Sequence, residues 1–338
     1  MVPAQRLLTQ TKRAENMSKV SLEEFSFTVD YDEGSEQLKA YRFIPETPDA
    51  SLPPVVFNSG FTGGVSMYGQ LVGNALAARG YTVSTYDVTG FFTNKAVRNT
   101  ITSVGQTLTN VSLEDQTTEL LALIDAARQH AGRMPVVISW AMGSVASLAA
   151  VNAMVTAGGE QLPLYVPMNY TNLRNLQGLR ADIEGADQAL MALAEDAGIP
   201  PFDTGTEATK LGYYPLDPNT QAYVNEQLGD YTDAAGADHW PGCALITAKS
   251  YQSYVKFDPE AELDASKGTY PPALIVHGAI NTLHMPEESQ RLFAAYPGEK
   301  GDAPLIVENM EHGQQMVADS PVYQGLIAQV DARIRSLI

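Results

Sequence analysis

The run PVVISWAMGSVASLAA, residues 135–150, passes from an apolar stretch through a knot of small residues into an alanine-rich segment. A nucleophile is displayed by this kind of pattern, on a sharp turn between a buried strand and a helix. The residues two before and two after the apex must be small there, because the backbones crowd. Ser139 and Gly143 are the small flanks, and Ala141 holds the apex. A nucleophile at such an apex works with an acid and then a base later in the chain. HGAINTLHMP supplies Asn281 at the acid position, and ENMEHGQQM supplies His312 as the base. The early glycine-rich FNSGFTGG would give an oxyanion hole made by the amides of Phe61 and Met142. The chemistry of the set is nucleophilic substitution at an acyl carbon, yet the methyl group of Ala141 cannot attack a carbonyl. Two other hydroxyls stand near the apex. Ser139 falls at the strand end and Ser144 at the helix start, and an apex at Ser144 would put Met142 where a small side chain is needed.

Such residues need elements to hold them. EFSFTVDY and LKAYRFIP alternate in polarity around DEGSEQ and predict an antiparallel pair. VVFNS, YTVSTYD, PVVIS, LPLYVPMNY, PPALIVHG and APLIVENM read as further strands, and VVFNS has the pattern of one buried on both faces. SMYGQLVGNALAARG, LEDQTTELLALIDAARQHAG, VASLAAVNAMVTAGG, PEESQRLFAAYPG and PVYQGLIAQVDARIRSLI carry helical spacing between or after them. The alternation predicts an α/β fold, a mostly parallel sheet with helices on both faces. Residues 1–23 read as an arm, 24–169 and 269–338 as the core, and 170–268 as an inserted helical lid over the C-terminal edge of the sheet.

The lid region holds Tyr213, Tyr214, Tyr223, Tyr231, Tyr251 and Tyr254, with Met191 and Trp240. These could shape an apolar pocket or form the insertion's own core. Trp140, Tyr170 and Trp240 are the candidate substrate-binding aromatics. His239 and His284 bring no HxH, HExxH or CxxC spacing with them, so no metal is expected. Neither a GxGxxG nor a P-loop sequence occurs, so no cofactor is expected.

Among 338 residues, 21 are Lys or Arg and 39 are Asp or Glu, a net charge of −18. That balance disfavours nucleic acid as a partner and suits solubility. No run reaches the ~18–20 apolar residues of a membrane span. The polar N-terminal stretch has no apolar signal region, and the one cysteine, Cys243, suits a reducing compartment, so the expected location is cytoplasmic. Oligomeric state is not legible.

From Glu24 onward these residues resemble the α/β-hydrolase superfamily. Within it, SGF after the third strand, YGQLVGNALAARGYTVSTYD, NLRNL after the sixth strand, a KLG at Lys210 and the loops at 281 and 312 are most similar to the lux-specific acyl transferases, the fatty-acyl thioesterases, and related esterase-like proteins. The resemblance implies an acyl-enzyme mechanism on medium or long acyl thioesters, with nucleophile, base and acid at 141, 312 and 281. The substrate would be a small molecule or an acyl group held on a carrier protein. Only His312 matches that triad as written. Asp258 and Asp264 are alternative acids from the preceding loop.

Three accounts of the departure stay open. Ala141 could mark an inactivated form of an ester or thioester hydrolase or acyl transferase. The chain could be a catalytically silent binding protein. Or His312 could act as general base in a non-hydrolytic elimination, isomerisation or cyclisation of an acyl or polyketide-like substrate.

Overall fold

The computed structural model describes residues 20–60, 69–94, 97, 99–101, 107–174, 192–199, 245–281, 284–313 and 319–338. The predicted hairpin is β1 (Val20–Tyr31) and β2 (Gly34–Pro45), joined at Asp32 and Glu33 and paired antiparallel along their full length. Six short strands follow in the same sheet: β3 (Val55–Asn58), β4 (Val83–Tyr86), β7 (Val136–Trp140), β8 (Tyr165–Met168), β11 (Val276–Gly278) and β12 (Leu305–Val307). The order across the sheet is β1-β2-β4-β3-β7-β8-β11-β12. β2 meets β4 antiparallel, and every pairing from β4 to β12 is parallel. The expected mostly parallel sheet is therefore present, with an antiparallel hairpin at one edge.

Strands β3, β4, β7 and β8 are buried at every position, which explains why they read as unbroken apolar runs rather than alternating ones. Helices cover both faces. Val56 and Val137 pack into a core with α2 (Leu113–Ala131) and α3 (Gly143–Ala157). Their neighbours Val55, Val136 and Ile138 turn to the opposite face and pack against α1 (Gln70–Ala77) and the C-terminal helix Pro321–Arg335. α2 starts in a capping box, with Ser112 Oγ accepting from Asp115 N–H and Asp115 Oδ2 accepting from Ser112 N–H, and stops at the left-handed Gly132.

A second sheet was not anticipated. Strands β5 (Asn99–Ile101), β6 (Thr107–Thr109), β9 (Gly198–Ile199) and β10 (Leu245–Thr247) assemble in the order β5-β6-β10-β9. Two of its strands come from the core sequence and two from the region read as a lid. α4 (Ala248–Lys256) continues directly from β10, capped by Thr247, and Ser250 and Ser253 on it accept the N–H groups of Val111 and Leu113. The second half of the 170–268 region is thus tied to the start of α2. Most of that region, including residues 175–191 and 200–244, lies outside the described residues.

Candidate active site

The bend after β7 starts from a steric demand. A side chain at Gly143 would run into the backbone carbonyl of Ser59, so the start of α3 can approach the end of β3 only with glycine there. Asn58 fastens the approach, its Nδ2 donating to the Gly143 carbonyl at 2.9 Å. Ala141 turns the chain with φ 52°, in the left-handed region, and its N–H donates to the Met168 carbonyl at 2.9 Å. That conformation costs an alanine about 1–2 kcal/mol relative to the right-handed one. A Cβ on Gly60 would stand 3.7 Å from that of Ala141, so the loop leaving β3 begins against the apex. Met142 follows at the mouth of α3, and Phe61, the other expected oxyanion donor, lies outside the described residues.

The two serines beside the apex are buried in a network beneath it. Ser147 Oγ donates to Ser139 Oγ at 2.8 Å and stands 2.9 Å from Tyr165 Oη, which donates to the Ser144 carbonyl at 3.0 Å. Both Ser139 and Ser144 are fully buried. These hydroxyls fasten the elbow to β8 instead of facing a cleft.

The ends of β7, β8, β11 and β12 converge on the same place. Gly278 closes β11, and a Cβ there would strike the carbonyl of Met310, so the loops after β11 and β12 meet only because this residue is glycine. Ala279 and Ile280 donate to the carbonyls of Val307 and Met310. The second loop carries His312, 5% exposed, with Asn309 at φ 58° shaping its start. Asn281 Nδ2 lies 3.3 Å from His312 Nδ1, so the residues at the predicted acid and base positions do meet. Trp140, one residue before the apex, donates its indole N–H to the His312 carbonyl at 3.2 Å. That bond ties the β7 bend to the His312 loop.

Trp140 and Tyr170, expected to line the substrate pocket, are 1% and 0% exposed. Trp140 positions His312 through its backbone, and Tyr170 is enclosed in the core, where burial drives its phenol far above the ordinary value. Trp240 lies outside the described residues, as do Met191, His239 and the tyrosines at 213, 214, 223 and 231. The alternative acids bond elsewhere. Asp258 accepts from Asn172 Nδ2 at 3.3 Å, and Asp264 accepts from Ser266 N–H at 2.8 Å.

Four side chains complete the arrangement without having been singled out as site residues. Asn169, with φ 50°, accepts the Gly278 N–H on Oδ1 at 2.9 Å and donates from Nδ2 to the His312 carbonyl at 3.3 Å. Its own carbonyl accepts from His284 Nδ1 at 3.2 Å. The His284 ring meets that of His312 edge to face, with centroids 4.7 Å apart. His277, inside β11 and fully buried, has Nδ1 2.7 Å from Ser289 Oγ and Nε2 2.9 Å from the His284 carbonyl. Burial depresses the His277 imidazole to about 4, so it is neutral at pH 7. A signal for Asn169 existed in LPLYVPMNY: an asparagine just past a buried strand, the residue type that best tolerates φ > 0 after glycine. Nothing in the spacing of His277 and Ser289 pointed to a pair.

Among the described residues, no group of three or more His, Cys, Asp or Glu side chains is placed to hold a metal ion. No helix among them is long and apolar enough to cross a membrane.

No protein-family model matches the chain, and no curated protein does. Solved structures match it over nearly its full length at low identity. DcsB in complex with its substrate analogue is 14% identical with a TM-score of 0.62, covering 94% of this chain and 99% of that one. The α/β hydrolase GrgF from Penicillium sp. sh18 is 13% identical with a TM-score of 0.60, covering 92% and 97%. A thermophilic esterase from Thermogutta terrifontis is 13% identical with a TM-score of 0.56, covering 93% and 99%. Together with the sheet order, these likenesses establish the α/β-hydrolase fold. At such identities they speak for the fold alone.

Proposed function

We propose that this chain binds an acyl ester or thioester at a Ser-His-acid type site that lacks the serine, and that no acyl-enzyme forms at position 141. The observation that carries the reading is the backbone of Ala141. A non-glycine residue is held left-handed at the strand-to-helix bend, where a nucleophile would be displayed, and the loop of a histidine is tied to its neighbour Trp140. The methyl group has no lone pair to offer a carbonyl. In this reading an acyl carbonyl would be held at the start of α3, toward the loop that carries His312.

The substrate class rests on two supports. Several fold neighbours are esterases. The motifs SGF, YGQLVGNALAARGYTVSTYD and NLRNL are similar to those of the lux-specific acyl transferases, which favours a medium or long acyl chain, free or on a carrier protein. A second reading keeps His312 as a general base for elimination, isomerisation or cyclisation; it needs the ring to offer the ligand a lone pair, and an Asn281 amide donating to Nδ1 counts against it. A silent binding protein would bind the ligand and transform nothing.

Calorimetry with a series of p-nitrophenyl acyl esters and acyl thioesters, combined with product analysis, separates these. The native chain is expected to bind a medium or long acyl ligand and return it intact, whereas Ala141→Ser combined with Asn281→Asp hydrolyses it. Rapid hydrolysis by the native chain, or failure of both proteins to bind any acyl ligand, would overturn the reading.

A further inference from the structure

The hydrogen bonds around Asn281 assign a proton position on His312. A backbone N–H can only donate, so the 3.0 Å contact from His284 N to Asn281 Oδ1 orients the amide. Its Nδ2 then faces His312 Nδ1 at 3.3 Å, and Nδ2 can only donate. His312 Nδ1 must therefore present a lone pair, and the proton of the neutral ring sits on Nε2. The two neighbouring imidazoles are fixed separately, because each faces a carbonyl, which can only accept; the 3.3 Å approach of Asn281 Nδ2 to His277 Nε2 is then a contact between two donors and not a hydrogen bond. His277 donates from Nε2 to the His284 carbonyl, and His284 donates from Nδ1 to the Asn169 carbonyl.

A carboxylate at 281 would give the opposite result. It would accept from His284 N–H on one oxygen and from His312 Nδ1–H on the other. The second oxygen would also face His277 Nε2, which stands 3.3 Å from Asn281 Nδ2 and whose hydrogen already points to a carbonyl. The surroundings of residue 281 thus present donors that an amide meets only in part.

We propose that Asn281 is a positioning residue that holds His312 as the Nε2–H tautomer, so that the imidazole meets a bound acyl group as a hydrogen-bond donor. Directed away from Asn281, that N–H would hold a carbonyl or carboxylate oxygen of the ligand and take no proton from it. The proposal rests on the acyl-site reading for the ligand, but the proton position itself does not depend on any ligand.

Long-range 1H–15N correlation spectra of the full-length 15N-labelled chain read the tautomer directly. His312 is assigned by loss of its signals in His312→Gln, or by through-bond connection to its own backbone amide if that variant does not fold. The expected spectrum has the His312 proton on Nε2 in the native chain and on Nδ1 in Asn281→Asp. A native His312 protonated on Nδ1, or an Asn281→Asp spectrum unchanged from native, would overturn the proposal.

Kinetics supply a second readout. In a serine–histidine–acid site, an asparagine in the acid position lowers kcat by about 10⁴ because it selects the wrong tautomer. Ala141→Ser alone is accordingly expected to hydrolyse p-nitrophenyl esters about 10⁴-fold more slowly than Ala141→Ser/Asn281→Asp. Equal rates would show that Nε2 already accepts protons in the native background, against the proposal. Two inactive variants alongside a native Nε2–H spectrum would instead overturn the acyl-hydrolase reading and leave the tautomer standing.

Discussion

Ala141, Asn169 and Asn309 are the three described non-glycine residues with positive φ, and they stand at the C-terminal ends of β7, β8 and β12. Backbone strain in a fold collects where neighbouring bonds can over-determine it, and Asn169 shows how. Its side chain bridges the Gly278 amide and the His312 carbonyl while its carbonyl holds His284. Asn169→Ala removes two buried hydrogen bonds and leaves a residue that disfavours φ 50°, so urea denaturation should show a loss of about 2–4 kcal/mol. Asn169→Gly keeps the backbone and loses only the side-chain bonds, so it should lose less. Equal losses would show that the left-handed conformation contributes nothing. Ala141 and the residues at 281 and 312 were legible in the sequence because each follows a strand in a fixed chain order. Asn169, His277 and His284 hold one another across the ends of β8 and β11, and such juxtapositions leave no local pattern to read.

At the scale of elements, two glycines control the site. Gly143 lets α3 abut the loop after β3, and Gly278 lets the β11 and β12 loops touch. In both cases the atom in the way of an added Cβ is a backbone carbonyl, which cannot swing aside as a flexible side chain could. Gly143→Ala should therefore push the apex off β3 and destabilise the chain by about 1–3 kcal/mol. Gly325→Ala makes a useful control, because Gly325 also lies in a helix without a left-handed φ but nothing stands within 4 Å of its added Cβ. A Gly143→Ala loss no greater than the change on Gly325→Ala in the same denaturation assay would contradict the close approach. The long helices and buried strands of the main sheet were legible because their apolar spacing is sustained, as in α2 and in the β1–β2 hairpin. The second sheet was not. Its strands span two or three residues each, and the pairing at its centre crosses more than a hundred positions of sequence, where Ile246 meets Thr109.

Across the whole molecule, burial of ionisable groups shapes how stability follows pH. Glu119 of α2 is fully buried and accepts from Tyr31 Oη at 2.9 Å. Burial raises its carboxyl from 4.5 to about 7, despite opposing hydrogen bonds from Thr89 and Tyr31. The folded chain thus binds a proton that the unfolded chain releases, and this contribution, complete below about 4.5, is lost as pH rises to about 7. His277 acts in the opposite sense. Its pKa falls from 6.5 to about 4 on folding, so its contribution is complete above 6.5 and is lost as pH drops toward 4. Through the middle of this range the two slopes oppose each other. Glu119→Gln removes one of them, so the variant's stability relative to native should climb between pH 4.5 and 7, by on the order of 3 kcal/mol at most. A difference that stays level across those pH values would show that Glu119 ionises normally.

Position 141 remains the centre of the account, and a fluorophosphonate, which phosphonylates an activated serine with loss of fluoride, tests it most directly. Intact-mass and peptide analysis should find the native chain unmodified and Ala141→Ser/Asn281→Asp carrying one adduct, on residue 141. An adduct on the native chain, or a folded double variant that takes none, would contradict it.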